Sequence, residues 1–225
     1  MRRCLLAKWP VPGRVKTRLV PALGLDGAAS LARAMLEDAV DALAEGARPL
    51  VALEGAPDGL RATPPFDRAE VVAQGGGDLG ARMVRVLARG CASAPSAVVV
   101  GGDVVGLPPA TLEDARAALE TADAVLGPAS DGGYYLLGAR ARALPALGRA
   151  LAGVRFGTAL AGADTLQGLS REGLLVAELA PFFDVDEPSD LERLAALLSA
   201  HPERAPRTLR WLGARAAIAP GGAGA

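Results

Sequence analysis

A continuous apolar run near the middle of the chain ends in two glycines and an acid. The run is Ala97–Val100, directly followed by Gly101, Gly102 and Asp103. β-Branched residues without polar alternation are typical of a strand that is buried on both faces, at the centre of a parallel sheet. Because parallel strands are joined through helices, this run predicts an α/β chain with layered helices.

Strands and helices alternate over the rest of the chain. The other strands are predicted near residues 4–7, 50–53, 70–74, 124–128, 134–138 and 174–179, with a short extended piece at 183–186. Helices are predicted near residues 26–45, 81–89, 111–121 and 145–151, from about 158, and at 189–200, with Thr111 and Ser189 as candidate caps. We expect one domain over 1–218, a disordered Gly/Ala-rich tail over 219–225, and a ligand site at the carboxyl ends of the strands.

Charge and composition argue against several classes of protein. The net charge of −1 provides no general field for nucleic acid, and no run of 18 or more apolar residues or secretory leader stands out. Cys4 and Cys91 are isolated, which favours reduced thiols and a cytoplasmic protein. His201 is the only histidine, so a Ser–His–Asp triad or a multi-histidine metal site is disfavoured.

A basic loop follows the first strand. Four cations, Lys8, Arg14, Lys16 and Arg18, lie within eleven residues that also contain two prolines and Gly13. Such a loop can hold phosphate through backbone N–H groups and charge-assisted side-chain bonds. A solvated basic loop is the alternative interpretation.

A glycine-rich turn follows the third strand. Gly75, Gly77 and Gly80 have the spacing of a dinucleotide-binding fingerprint, but that fingerprint belongs to the first βα unit. A turn that lets the next helix begin close to the sheet is one alternative. In the other, nearby polar residues read a base or a sugar: Gln74, Asp78 and Arg82.

Carboxylates at strand ends are candidate metal ligands. Asp103 ends the central strand and is either a metal ligand or a capping residue. Mg²⁺ is commonly held by one or two carboxylates together with phosphate oxygens, so a second ligand from the segment 184–191 would suffice. A helix start capped by Ser189 explains the end of that segment but not Asp184 and Asp186.

Another candidate site is the segment Gly127–Tyr135, which contains Asp131-Gly132-Gly133 followed by two tyrosines. Two adjacent glycines after an acid permit a close approach of the backbone to a ligand, and a tight turn would also explain them. One of the two tyrosines is expected to face the site and its neighbour the core.

Taken together, these motifs resemble a known family. They are, in chain order, Ala7-Lys8, Pro12–Leu19, Gln74, Asp78-Leu79-Gly80, Arg82-Met83, Gly102-Asp103, Gly127-Pro128, Asp131–Leu136, Asp184–Asp186, Pro188 and Asp190-Leu191. The set, spanning about residues 3–198, is similar to bacterial GT-A-type glycosyltransferases found beside radical-SAM proteins and described as arsenosugar-biosynthesis glycosyltransferases.

The resemblance implies a fold and a set of site residues. The fold is the nucleotide-diphospho-sugar transferase fold, a Rossmann-like three-layer α/β/α sandwich with a mixed, mostly parallel sheet. The implied nucleotide-binding residues are Lys8, Pro12, Gly13, Arg14, Lys16, Arg18, Gln74, Asp78, Gly80 and Arg82. Asp103 and Asp186 would hold Mg²⁺ or Mn²⁺, and the acceptor or sugar side would be lined by Asp131, Gly132, Gly133 and Tyr134.

The chain departs from this family at three positions. Val105 stands where the family usually has proline, Phe156 where it has tryptophan, and Glu187 where it has threonine. These departures concern the metal geometry and the acceptor contacts, whereas the charged positions are kept.

Three functions are compatible with these residues. The first is metal-dependent glycosyl transfer from a nucleoside-diphosphate sugar to a small acceptor, with Asp131 as base and with Lys16 and Arg18 assisting the leaving group. The second is a nucleotidyltransferase that uses a nucleoside triphosphate and releases pyrophosphate, since Asp103 is not part of an Asp-x-Asp motif. The third is an inactive nucleotide-binding module. None involves nucleic acid or a membrane as partner.

Overall fold

A single seven-stranded sheet organises the protein. The structure, a computed structural model, describes residues 1–218. The strands are β1 (Arg2–Lys8), β2 (Leu50–Glu54), β3 (Glu70–Ala73), β4 (Ser96–Gly101), β5 (Ala124–Pro128), β6 (Tyr134–Arg140) and β7 (Val176–Glu178). Their order is β3-β2-β1-β4-β6-β5-β7, and only β6 runs antiparallel to its neighbours. The predicted mixed, mostly parallel sheet is confirmed.

Seven α-helices flank the sheet within the described residues. They are α1 (Val20–Leu43), α2 (Leu79–Cys91), α3 (Ala110–Thr121), α4 (Leu144–Leu151), α5 (Ala161–Arg171), α6 (Pro188–Ala200) and α7 (Pro206–Ile218). The predicted fold class is confirmed. The division into one domain over 1–218 stays a prediction, and the predicted tail, 219–225, lies outside the described residues.

The alternating side chains of β4 separate two core layers. Val98 and Val100 pack with Leu36 of α1 and Leu119 of α3 on one face of the sheet. Val99 points the other way, into the cluster under α2, α4 and α5. Both faces of β4 are therefore apolar, which is the physical reason for its continuous valine run.

Helix α1 carries a local break and a long apolar stretch. Gly24 has non-helical dihedrals (φ 73°, ψ 168°), so the segment bends after its first residues. By length and mean hydropathy (1.3) the stretch Thr17–Leu43 is long and apolar enough to cross a membrane, and 44% of its most apolar 18 residues are buried inside the protein. Leu31 and Met35, for example, are fully buried.

Helix α7 was not predicted, and a distant carboxylate explains its position. Asp38 on α1 is 2% exposed, and its carboxylate accepts hydrogen bonds from the Thr208 backbone N–H (2.8 Å) and hydroxyl (2.8 Å). It also accepts one from the Arg207 N–H (3.1 Å). A side chain far away in sequence thus caps the helix N-terminus, a role usually filled by a neighbouring residue.

Two predicted caps are wrong. Helix α3 begins one residue before Thr111, with Pro109 as its N-cap, and Thr111 is buried within its first turn. Helix α6 begins at Pro188, and its N-cap is Glu187 rather than Ser189. The local cap signals were present at both places, but a proline at or just before the start of each helix moved the boundary.

Candidate active site

The basic loop after β1 ends in a residue with an unusual backbone conformation. Lys16 has φ 47° and ψ 42°, in the left-handed region, and it is the one non-glycine residue with positive φ among residues 1–218. Such conformations cost free energy in a residue with a side chain, and they persist where surrounding contacts impose them. Here the contacts are ionic.

The Lys16 ammonium group lies between two carboxylates. Its side chain is 2% exposed, and Nζ contacts Oδ1 of Asp103 and, at 3.1 Å, Oδ1 of Asp186. Burial by itself would lower the pKa of Lys16, but the two carboxylates outweigh burial and raise this pKa above its ordinary value. Lys16 is therefore charged at neutral pH, and it holds two acids from distant segments at one point.

Asp103 reaches this point because β4 ends close to β1. The Gly102 N–H donates to the Leu6 carbonyl (3.0 Å), and a Cβ at Gly102 would lie 2.4 Å from the Ala7 Cβ. Only glycine fits between the two strands at this position. The Asp103 side chain is 62% exposed at the carboxyl edge of the sheet, where the valine run predicted it.

Asp186 is held by hydrogen bonds at both ends of its segment. The Val185 N–H donates to the Asp103 carbonyl (3.1 Å), which joins this loop to the end of β4. The Asp190 carboxylate accepts from the backbone N–H groups of Asp186 (2.9 Å) and Glu187 (2.7 Å). Asp190 and Glu187 form a reciprocal capping box for α6, so the helix start also fixes the loop that carries Asp186.

A cavity of about 320 Å³ opens beside the basic loop; we call it the basic cavity. Its polar and charged lining combines residues from the loop, the strand ends and α2: Lys8, Arg14, Lys16, Thr17, Arg18, Gln74, Arg82, Asp103 and Asp186. The structure therefore brings together six of the ten residues predicted to bind nucleotide, and both predicted metal ligands.

The other four predicted nucleotide-binding residues lie outside this lining. Asp78 caps α2, since its Oδ1 accepts the Ala81 N–H at 2.8 Å. Gly80 is packed against Phe156, 3.1 Å from the position that a Cβ would take. Pro12 and Gly13 form the turn of the loop, where the Arg14 N–H donates to the Val11 carbonyl.

Gln74 and Arg82 belong to one hydrogen-bond network. Gln74 is 5% exposed, and its Nε2 donates to the carbonyls of Ala7 (2.6 Å) and Ala52 (3.3 Å). Its Oε1 accepts from Arg82 Nη1 at 3.1 Å, and the same nitrogen donates to Glu54 Oε2 at 2.8 Å. With its amide engaged in this way, Gln74 joins three strand ends and positions Arg82.

Glu54 was missed in the sequence analysis. It is the last residue of β2, an acid at the carboxyl end of a strand, and it pairs with Arg82. The same signal that singled out Asp103 could have found it.

A second cavity, of about 500 Å³, lies on the other side of Asp103 and Asp186; we call it the acidic cavity. It contains Asp131, Gly133 and Tyr134, three of the four residues predicted for the acceptor side. Gly132, the fourth, does not line the cavity. It has φ 87°, and a Cβ there would lie 2.2 Å from the Ala159 carbonyl oxygen, so it permits the close packing of two loops.

Asp184 also lines this cavity, and the pKa of its carboxyl group is raised. Burial, reinforced by the nearby carboxylates of Asp131 and Asp186, raises the pKa of Asp184 to about 6, with Lys16 opposing the shift. Tyr134 lines the same cavity, and burial raises the pKa of its hydroxyl from the ordinary 10.0 to about 12.

The candidate metal ligands are two carboxylates. Asp103 and Asp186 converge on the same ammonium nitrogen, which shows that one cationic centre can face both. No group of three or more Asp, Glu, His or Cys side chains in the described part of the chain is arranged to hold a metal ion. Two carboxylate oxygens fit a hard divalent ion that takes its other ligands from phosphate and water.

Comparison with known proteins identifies the family. A model for the family described as "uncharacterized protein conserved in bacteria (DUF2064)" matches residues 39–158, more than half of the chain. The chain belongs to the DUF2064 family. No curated protein matches it.

Solved structures show the relationships of this DUF2064 protein. One, described as a "putative nucleotide-diphospho-sugar transferase" from Desulfovibrio desulfuricans G20, is 30% identical, with 97% of each chain covered and a TM-score of 0.82. Rv0371c from Mycobacterium tuberculosis H37Rv, solved as a manganese complex, is 24% identical, with 86% and 98% covered and a TM-score of 0.50. The 2-C-methyl-D-erythritol 4-phosphate cytidylyltransferase from Thermus thermophilus is 21% identical, with 88% and 98% covered and a TM-score of 0.53. The last two show the shared fold alone.

Proposed function

We propose that this DUF2064 protein is a metal-dependent transferase that moves a glycosyl group from a nucleoside-diphosphate sugar to a small acceptor. The observation that carries the proposal is the buried, charged Lys16 held between Asp103 and Asp186, where a basic cavity meets an acidic one. A diphosphate and the atom that attacks the sugar need surroundings of opposite charge, and these two cavities provide them side by side.

The basic cavity suits the nucleoside diphosphate. Lys8, Arg14 and Arg18 line it, and cations of this kind bind phosphate oxygens by charge-assisted hydrogen bonds. The family relationship to a protein described as a nucleotide-diphospho-sugar transferase supports the same ligand.

Asp103 and Asp186 would hold Mg²⁺ or Mn²⁺. When bound, such an ion neutralises charge that develops on the diphosphate as it leaves. The manganese complex of Rv0371c, which shares the fold, supports a divalent ion. Lys16 contacts both carboxylates and would lie beside the leaving group.

Asp131 is the candidate base on the acceptor side. It lines the acidic cavity, and its Oδ1 accepts the Gly133 N–H at 2.8 Å, which orients the carboxylate. In the transfer, an acceptor hydroxyl oxygen bonds to the anomeric carbon while the bond from that carbon to the diphosphate oxygen breaks. The nucleoside diphosphate leaves with the electron pair, and the hydroxyl proton passes to Asp131.

Nucleotidyl transfer is the second candidate. The fold shared with a cytidylyltransferase and the single Asp103 at the end of β4 favour it. In that reaction the metal-bound substrate would be a nucleoside triphosphate, and pyrophosphate would leave. An inactive nucleotide-binding module is the third.

The two reactions differ in the product they release. We would incubate the protein with nucleoside-diphosphate sugars or with nucleoside triphosphates, with Mn²⁺ or Mg²⁺, and identify products by mass spectrometry. Metal-dependent release of a nucleoside diphosphate supports glycosyl transfer. Release of pyrophosphate would show that the reaction is nucleotidyl transfer and that the proposed glycosyl transfer is wrong. Asp103→Asn should abolish either activity, whereas Asp58→Asn, an exposed acid that lines neither cavity, should not. A protein that binds nucleotides without any turnover would be the inactive module.

Two narrower points also belong to the proposal. The sequence motifs support membership of the group found beside radical-SAM proteins. The free thiols of Cys4, which is buried, and Cys91 support a cytoplasmic location.

A further inference from the structure

The acidic cavity differs from the basic cavity in charge and in polarity, and this difference restricts what it can hold. We propose that the acidic cavity takes an acceptor with an apolar body and a hydroxyl or amino group, and that it excludes phosphorylated and carboxylated compounds. That the bound compound acts as an acceptor rests on the proposed glycosyl transfer, whereas its apolar and uncharged or cationic chemistry is inferred from the cavity alone.

Apolar side chains contribute much of the lining of this cavity. They come from five parts of the chain and include Leu6, Met83, Val99, Leu137 and Phe156, of which Leu6 and Phe156 are half-buried and the others are buried. Leu79, which lines both cavities, is 43% exposed, a large apolar side chain left open to solvent. A compound with an aromatic or aliphatic body would bury the exposed part of this surface favourably.

The charged groups of the acidic cavity are almost all negative. Its lining contains four carboxylates, from Asp103, Asp131, Asp184 and Asp186. Arg18 is the one cation among the described lining residues, and it lies on the border with the basic cavity, 3.8 Å from Glu187. A divalent ion on Asp103 and Asp186 would still leave Asp131 and Asp184 facing the bound compound.

These charges discriminate between classes of acceptor. A phosphate or carboxylate in the acidic cavity would face like charge at close range, and Arg18, the one cation among the described lining residues, lies at the border beside Glu187. The excess of negative charge opposes binding of an anion. A hydroxyl group carries no such penalty, and an ammonium group is attracted. Because nucleotidyltransferases that make a diphosphate linkage need a phosphate nucleophile, this cavity is better suited to glycosyl transfer onto an alcohol or amine.

Three probes with one carbon skeleton test the inference: benzyl alcohol, benzylamine and benzyl phosphate. Each is titrated into the full-length protein and followed by ligand-observed NMR, with wild type compared with Phe156→Ala and Leu79→Ala. Leu175→Ala is the matched control, since Leu175 is 60% exposed and lines neither cavity. Leu79→Ala keeps the test valid if Phe156→Ala does not fold, because Leu79 is partly exposed. Leu79 lines both cavities, so its effect on the alcohol and the amine is assigned to the acidic cavity only where the nucleotide thermal shifts of Leu79→Ala equal those of wild type.

We expect the alcohol and the amine to bind and to lose affinity about tenfold in Phe156→Ala or Leu79→Ala, as removal of buried apolar contacts requires. Benzyl phosphate should be insensitive to Phe156→Ala and sensitive to Arg14→Ala, because it would occupy the basic cavity. The inference is wrong if benzyl phosphate depends on Phe156 as strongly as the alcohol does. It is equally wrong if neither the alcohol nor the amine shows Phe156-dependent binding.

A separate titration distinguishes this failure from failure of the proposed function. Thermal shifts with UDP, GDP, CDP and ADP in the presence of Mn²⁺ report the basic cavity and do not involve Phe156. If no nucleotide stabilises the protein while the alcohol and amine bind, glycosyl transfer is wrong and the cavity chemistry stands. If nucleotides stabilise the protein but the three probes give either of the contradicting results above, the inference is wrong and the proposed function is unaffected.

Discussion

The two cavities share Asp103 and Asp186, yet the chain builds them in different ways. The cations of the basic cavity come mainly from one continuous loop and sit on long side chains that can adjust to a ligand. The acidic cavity is assembled from distant segments whose backbones pack directly on one another, as at Gly132 and the Ala159 carbonyl. Under the proposed function, the adaptable side chains of the basic cavity would bind the phosphate groups, and the closely packed acidic cavity would select the acceptor.

The largest effect should come from a residue that belongs to both cavities. Asp103→Asn keeps the shape of the side chain and removes its charge, so we expect turnover with a nucleotide donor and Mn²⁺ to fall by at least about 10²-fold. Steady-state rates at saturating donor measure it, with Asp58→Asn as the control of equal chemistry. Unchanged rates in Asp103→Asn would show that the two cavities do not meet at a metal.

The packing of the acidic cavity can be tested separately at Gly132. Gly132→Ala would force a Cβ to within 2.2 Å of the Ala159 carbonyl oxygen at φ 87°, and we expect a loss of about 2–3 kcal/mol in the free energy of unfolding. Urea denaturation measures this loss. Gly153→Ala is the control, because Gly153 has φ 97° but nothing within 4 Å of its Cβ position.

The control should lose only about 1 kcal/mol, the cost of the backbone conformation alone. Where Gly132→Ala still folds, nucleotide binding should survive and benzyl alcohol binding should weaken. Equal losses of unfolding free energy in Gly132→Ala and Gly153→Ala would mean that the close packing of Gly132 against Ala159 does not stabilise the protein.

The charge of Lys16, which contacts both shared carboxylates, can be removed by substitution. Lys16→Met keeps the bulk of the side chain and leaves Asp103 and Asp186 facing each other. Because both carboxylates are partly exposed, we expect a loss of only about 1–2 kcal/mol in the free energy of unfolding without metal. Added Mn²⁺ should raise the melting temperature of Lys16→Met more than that of wild type. A smaller rise would contradict the role of Lys16 as the counter-charge of these acids.

The smallest effect concerns Asp184. Its pKa is raised from the ordinary 3.8 to about 6, so the folded protein favours the protonated carboxyl. The stability that this group contributes is complete below pH 3.8 and is lost as the pH rises to about 6. Asp184→Asn should remove this dependence and be more stable than wild type at neutral pH, by about 1 kcal/mol after allowance for solvent screening.

Urea unfolding of both proteins across that pH range, with a chelator present, measures the difference. Parallel curves for Asp184→Asn and wild type would show that burial and the nearby carboxylates do not raise the pKa of Asp184 in the folded protein.

The sequence predicted the parts of the site that depend on local pattern. The valine run placed β4 at the centre of the sheet and Asp103 at its end, and the cluster of cations placed the basic loop after β1. Both predictions follow from residues adjacent in the chain, where periodicity and charge spacing carry direct structural information.

Contacts between distant segments could not be predicted in this way. Base or sugar reading by Gln74 was one of the alternatives from the sequence and stays a prediction. The hydrogen bonds from its amide to the carbonyls of Ala7 and Ala52 could not be predicted, because only the strand order brings these groups together. Helix α7 escaped prediction because its cap, Asp38, lies on α1. The burial of Lys16 depends on two acids from distant parts of the chain.

The hydrogen bond from the Val185 N–H to the Asp103 carbonyl has a consequence for folding. It joins two segments that lie far apart in the sequence, and closing such a long loop costs conformational entropy before its contacts repay that cost. We therefore expect Asp186 to dock beside Lys16 late in folding, after β4 has paired with β1. Until then, Lys16 has only part of its counter-charge.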